Sequence, residues 1–430
     1  MSQSSRDNLE QALAKIADPR GEGARACLTV YADAARAAAD QSDARRNAGK
    51  SLGPLDGVIV SIKDLFDVAG EVTRAGSRVL VKRGKPATAD APVVKRLREA
   101  GAVIVAKTNM TEFAYSGVGA NPHFGTPGNP ADRKRIPGGS SSGAAVTAAD
   151  GMCRVSIGTD TGGSTRIPAA VCGIVGFKPT ATRIPTDGAY PLSFSLDSIG
   201  PLATSVADCA LADAVMAGIV PEPLAPPSLS GARLGLVKGL VLENIDNTVG
   251  PAFEKAVAKL GAAKRSDVTL APLAMLADVN ARGGIAPPEA YAVHRELLAA
   301  DGAGLDPNVR LRLMRAADVS AADYILNMRA RIAAIAAMDR VFADFDALVL
   351  PTTPIVAPTM EEVADTDDFA RRNMLLLRNT AIGNFFDLCA ISLPIRLGNA
   401  LPCGLMLFGR HGNDRKLLQL AAAVERALAG

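Results

Sequence analysis

The sequence predicts an α/β protein, and three observations carry that expectation. Short apolar runs alternate with helical patterns along most of the chain, the βαβ cadence of a sheet covered by helices. The composition is that of a large globular core, with 48% hydrophobic and 21% charged residues among 430. Two glycine-serine loops, Gly138 to Gly143 and Asp160 to Ser164, each open onto a helical pattern (Ala144 to Ala149 and Thr165 to Ala170), which leaves unpaired N–H groups at helix starts.

The elements follow in order. From Leu9 to Ala48, Ala, Arg, Glu and Asp recur at helical spacing, which predicts an N-terminal helical layer over residues 1–50. After Gly53-Pro54, Val58 to Ile62 reads as a buried strand with Lys63 at its end. Asp90 is expected to cap a helix that has Pro92 in its first turn and stops at Gly101. Val103 to Val105 is the next strand. The cadence recurs in the strand Ile174 to Phe177, the helix Val206 to Met216, the strand Leu234 to Val237 and the helix Ala252 to Leu260. Strands at Ala347 to Leu350, Ile391 to Leu393 and Gly404 to Phe408, and a helix from Asp414 to Ala427, complete it. Residues 285–345 turn mainly helical, with Glu289 to Ala300 and Ala321 to Met338 as the helices, and are expected to cover the sheet. The Pro-rich stretch Pro221 to Pro227 is short and lies between βαβ units, so the chain is read as one domain, 1–430.

Several function classes recede. The 47 basic and 44 acidic residues nearly cancel, and no Lys/Arg run interleaved with aromatics is present, so direct nucleic-acid binding is not expected. No apolar stretch reaches the ~18 residues that span a bilayer, and the N-terminus lacks a signal-peptide core. A cytoplasmic enzyme without membrane attachment is the expectation. The six cysteines are scattered, without C-x-x-C pairs or clustered histidines, so neither a metal site nor a disulfide framework is expected.

The loops point to acyl transfer. N–H groups at a helix start stabilise a developing oxyanion, while neither loop has the Gly-Lys-Ser/Thr ending of a phosphate cradle. A serine nucleophile needs a base, and the chain has three histidines, His123, His294 and His411. One reading makes Ser141 the nucleophile of a G-x-S-x-G elbow with His294 or His411, as in a Ser-His-Asp esterase. That elbow expects a strand running into it, whereas Arg133 to Pro137 is charged and ends in proline. The other reading makes Lys63 the base. Lysine of ordinary pKa is neutral in about one molecule in 2,500 at pH 7, so burial must lower its pKa.

At these residues the chain resembles the amidase signature family, whose branches include bacterial amidases, fatty acid amide hydrolase and the glutamyl-tRNA(Gln) amidotransferase A subunit. The matching stretches are Lys63-Asp64, Gly138 to Gly143, and Asp160 to Ser164 with Arg166 and Pro168. Lys107-Thr108-Asn109, Gly176 to Thr180, Leu196 to Leu202 and Leu350 to Pro354 support them. The resemblance spans nearly the whole chain and weakens between about 225 and 340. It implies a large mixed, mostly parallel β-sheet covered by helices on both faces.

It also implies roles. Ser164 would be the nucleophile, Ser140 the bridging serine on a cis Gly139-Ser140 bond, and Lys63 the neutral base. The N–H groups of Thr161, Gly162, Gly163 and Ser164 would form the oxyanion hole, and Asp160 and Arg166 would hold the nucleophile loop. Gly139, Ala114 and Tyr115 would lie near the substrate. His294 and Arg295 are expected on the surface of their helix. The implied reaction is hydrolysis of a small-molecule carboxamide through a serine acyl-enzyme, with no metal or organic cofactor. A glutaminase component of a tRNA-dependent amidotransferase is the alternative, and a non-catalytic α/β binding protein is a third class. The expected partner is a small-molecule amide, and a homodimer is an open expectation for assembly.

Overall fold

The structure, a computed structural model, describes residues 3–430. Met1 and Ser2, where the expected N-terminal layer and the 1–430 domain begin, lie outside the described residues. Eleven strands form one sheet: β1 (Cys27–Val30), β2 (Ile59–Lys63), β3 (Val103–Thr108), β4 (Val155–Asp160), β5 (Val175–Lys178), β6 (Ser198–Ala203), β7 (Arg233–Val237), β8 (Lys264–Val268), β9 (Ala347–Pro351), β10 (Cys389–Ile395) and β11 (Cys403–Gly409). Their order across the sheet is β1-β3-β2-β4-β6-β5-β10-β11-β9-β7-β8.

The sheet is large and mixed, as expected, but it is not mostly parallel. Of its ten pairings four are parallel, β2–β3, β2–β4, β7–β8 and β7–β9. The centre is antiparallel, and for β10 and β11 the reason is chain length. β10 and β11 are joined by residues 396–402, too few for the crossover a parallel pair requires, and β5 reaches β6 without an intervening helix.

Alternation along the strands shows helices on both faces. Val60 and Ile62 of β2 join the apolar cluster that contains Val206, Cys209 and Ala212 of the helix Val206–Ala217 and Leu417 and Ala421 of the helix Asp414–Ala429. Ile59 joins the opposite cluster, with Ala144 to Val146 of the helix Ser142–Ala149 and Ile167 and Val171 of the helix Arg166–Cys172. With a side-chain period of two, Ser61 and Lys63 face the same way as Ile59, towards the helix that the first glycine-serine loop opens.

Most expected elements are present within a few residues. Four strands were not foreseen: β1 is four residues long and interrupts the stretch 1–50 expected to be helical, β4 contains Gly158, β6 contains Gly200-Pro201, and β8 reads Lys-Arg-Ser-Asp-Val. The polar β8 is an edge strand, where charged side chains discourage pairing with another chain. Asp90 does not cap its helix. The N-cap of Pro92–Glu99 is Ala91, and the Asp90 carboxylate instead accepts from the Ala69 N–H and Arg98. Residues 285–345 are helical over Ala286–Asp301, Pro307–Met314 and Ala321–Val341. Among the described residues no helix is long and apolar enough to cross a membrane.

Candidate active site

β2 and β4 are parallel neighbours, so Lys63 and Asp160, their last residues, leave the sheet at the same edge. The crevice at the carboxyl ends of parallel strands is where an α/β sheet gathers functional groups. The β4 end runs directly into Thr161-Gly162-Gly163-Ser164, and the loop that ends at the helix Ser142–Ala149 carries Ser140. The Gly139-Ser140 peptide bond is cis.

Lys63 is fully buried, and its Nζ donates to Ser140 Oγ and to Thr159 Oγ1, each at 2.8 Å. Burial pushes the Lys63 ammonium down to about 7, against the opposing pull of Asp197 and Asp160. Ser140 is buried too, whereas Ser164 lines a cavity of about 310 Å³. Asp197 is half-buried. Its carboxylate accepts from the Thr161 hydroxyl and from the N–H groups of Leu192 (2.9 Å) and Ser193 (3.1 Å), and burial raises its pKa to about 6.

Behind the second loop, Asp160 and Arg166 form a fully buried bidentate ion pair, with Arg166 Nη2 to Oδ1 at 2.8 Å and Nε to Oδ2 at 3.0 Å. Arg166 also donates to the Thr380 carbonyl and Asn384 Oδ1, both at 2.8 Å. Burial opposes the charge on Asp160, yet Arg166 outweighs it and holds the carboxyl well below the usual range. Thr165, through its N–H and hydroxyl, and Asn384, through its side-chain amide, donate to the same carboxylate. Every polar atom of this pair is therefore satisfied by the protein, and the loop shape is over-determined.

Gly163 departs from the expected oxyanion hole. Its N–H is already donated to Asp160 Oδ1 at 2.8 Å, while among the described residues those of Thr161, Gly162 and Ser164 have no protein acceptor. The glycine is required for shape: its φ of +137° lies outside the usual range for other residues, and a Cβ there would stand 2.2 Å from Thr380 Oγ1.

Ala114 and Tyr115 line the cavity beside Ser164, Thr161 and Gly162. Gly139 does not line it. Its N–H goes to the Gly117 carbonyl, and its Cα packs so closely on Gly119 that a Cβ would come within 2.6 Å of Gly119 Cα. The remaining walls are chiefly apolar, including Leu192, Leu196, Ile285 and Phe385. Ile285, Ala286, Pro287 and Arg312 bring the helical block onto the cavity. Arg312, Thr159, Asp197 and Asn384 were not singled out in the sequence. Thr159 and Asp197 sit inside or beside recognisable stretches, whereas Arg312 and Asn384 carry no local pattern.

The histidines lie elsewhere. His294 is not on the surface but fully buried, its ring tilted against Phe113 at 4.3 Å between ring centres, with Nδ1 on the Ala290 carbonyl. Its neighbour Arg295 is exposed. His123 meets Glu112 and His411 meets Asp387. None hydrogen-bonds a serine of either loop, and Ser141 Oγ is turned to the Thr159 carbonyl, so the esterase triad is not assembled.

A mixed-sheet α/β protein with a lysine–serine contact behind an apolar pocket is an enzyme framework of the hydrolytic kind. The Amidase family model matches residues 7–418, and the chain belongs to that family of enzymes acting on amides. It is similar to 2-amino-5-chloromuconic acid deaminase of Comamonas testosteroni, at 38% identity over 91% of this chain and 86% of the relative. The glutamyl-tRNA(Gln) amidotransferase A subunit of Symbiobacterium thermophilum is 36% identical over 97% of this chain and 92% of its own. A solved amidase structure superposes with a TM-score of 0.89 at 33% identity, covering 99% of this chain and 96% of that one.

Proposed function

We propose that the chain works as a single amidase unit that hydrolyses a small-molecule carboxamide through an acyl-enzyme on Ser164. The observation that carries this is the 2.8 Å contact between the buried Lys63 Nζ and Ser140 Oγ, with Ser164 alone of the three opening on the cavity. In the neutral amine the same contact runs the other way, with the Ser140 hydroxyl donating to the lone pair of Nζ. Ser164 attacks the carbonyl carbon and passes its proton through Ser140 to Lys63. The C–N bond then breaks, and the proton returns through Ser140 to the leaving nitrogen as ammonia or an amine departs. Water repeats the sequence on the ester, releasing the carboxylate. The tetrahedral oxyanion sits against the N–H groups of Thr161, Gly162 and Ser164.

Ser164→Ala is expected to abolish ammonia release from an amide panel while leaving the unfolding transition in place, together with loss of labelling by a fluorophosphonate. Retained turnover in that variant overturns the assignment. A second reading, the glutaminase component of a tRNA-dependent amidotransferase, draws on the likeness to the Symbiobacterium protein. Copurification with further amidotransferase components and tRNA supports that reading, and activity of the isolated chain on simple amides opposes it.

A further inference from the structure

The cavity in front of Ser164 contains one charged side chain, Arg312, among otherwise neutral lining residues. It comes from the helix Pro307–Met314, far in sequence from the loops. Its guanidinium lies over the Tyr115 ring, 4.3 Å from the ring centre. No carboxylate is seen to pair with it among the described residues, and its Nε is sealed from solvent without a hydrogen-bond partner. Burial pulls its pKa below the ordinary value against the opposing pull of Tyr115, and the nearby like charge of Arg315 adds to the fall.

Arg312 is partly buried: its Nε is sealed, while its terminal nitrogens are not. Buried charges are ordinarily paired, because removing an ion from water costs several kcal/mol. A lysine can escape that cost by losing its proton, the direction in which burial pushes Lys63, but a guanidinium stays charged in a protein. The face of Tyr115 offers a cation only about 0.5 to 2 kcal/mol. What would complete Arg312 is an anion entering the cavity from outside.

We propose that the substrate is a carboxamide that also carries a carboxylate, and that Arg312 is the residue that binds the carboxylate while Ser164 attacks the amide carbonyl. The proposal rests on the amidase reading above and deepens it. A carboxylate is favoured over a phosphate or a dianion by the charge balance, since one guanidinium and no lysine line the space. The planar fork of arginine matches two carboxylate oxygens with parallel hydrogen bonds. Between the two polar ends the walls are Leu192, Leu196, Ile285, Leu377 and Phe385, which suit a short carbon frame rather than a sugar or a peptide. At about 310 Å³ the cavity is at the small end of ligand sites.

The test compares dicarboxylic acid monoamides, with one to three methylenes between carboxylate and carboxamide, with isosteres in which methyl replaces the carboxylate. The native enzyme is expected to prefer the best anionic amide by at least about 30-fold in kcat/KM, the lower end for a desolvated charge pair. In Arg312→Met that ratio is expected to collapse towards one through KM, with Arg312→Lys in between. Equal use of anionic and neutral amides by the native enzyme overturns the proposal, as does a ratio preserved in Arg312→Met. A second measurement is independent of catalysis. Calorimetry on the Ser164→Ala protein is expected to show the monoamides binding and their isosteres at least about 30-fold weaker. Failure of hydrolysis with this binding intact would sink the amidase reading alone, and loss of the binding difference would sink the carboxylate site alone.

Discussion

Two long cations stand close to the same cavity, one at the end of β2 and one in the helical block, and their surroundings are built on opposite plans. Lys63 is enclosed by hydroxyls, and the ion pair behind it, Asp160 with Arg166, is satisfied on every side. Arg312 has an aromatic face beneath it, a like charge nearby and an Nε without an acceptor. The first region is finished by the protein itself, which keeps the reacting groups in one geometry whatever is bound. The second is left open, and on the carboxylate proposal it is completed when the ligand arrives. The contrast separates chemistry from choice of substrate within one pocket.

The largest expected effect is at the finished region. Lys63→Met should lower kcat/KM on any accepted amide by about 10³-fold or more, in the upper part of the range for loss of a general base. Activity of that variant within tenfold of the native enzyme in an ammonia-release assay would remove the distinction between the two cations.

Stability offers the next contrast. Arg166→Met should cost about 3–5 kcal/mol in urea unfolding, because it leaves Asp160 charged and buried without its ion partner. Arg312→Met should cost at most about 2 kcal/mol, since the cation has no carboxylate partner and only the Tyr115 face to lose. Equal losses in the two variants would show that Arg312 is held by the fold in the way Arg166 is.

The smallest effect is a displacement along the pH axis. Only neutral Lys63 accepts a proton, so kcat/KM should rise with pH through about 7 and level off above it. Asp197 favours the charged lysine, so Asp197→Asn should move that limb to lower pH while Lys63→Met removes it. A limb that stays in place in Asp197→Asn would assign it to a group other than Lys63.

How much of this was legible depends on how local each arrangement is. Lys63, Ser140, Ser164 and the Asp160–Arg166 pair lie in or beside loops whose glycines are required by backbone shape, so their pattern survives in one dimension. The α/β class was visible for the same reason, since buried strands such as Ala347–Pro351 write an apolar run. β4, β6 and β8 were not visible, because their glycines, proline and charges are tolerated only by neighbours distant in the chain. His294 read as a surface residue because a helical pattern marks its spacing but not the Phe113 and Tyr190 rings that enclose it. Gly163 and Gly139 read as an oxyanion donor and a substrate contact, until their N–H groups were found on Asp160 and Gly117.

By itself, then, the sequence determined the fold class and the pair of loops through short-range steric and periodic rules, and the family resemblance of those loops named the three residues expected to handle the proton. Tertiary structure alone decided the parallel and antiparallel pairing, the burial that brings Lys63 near neutrality, and the placement of Arg312 against the cavity. These depend on which distant groups share a desolvated space, and the energy of a charge there is set by its neighbours in three dimensions rather than by its neighbours in the chain.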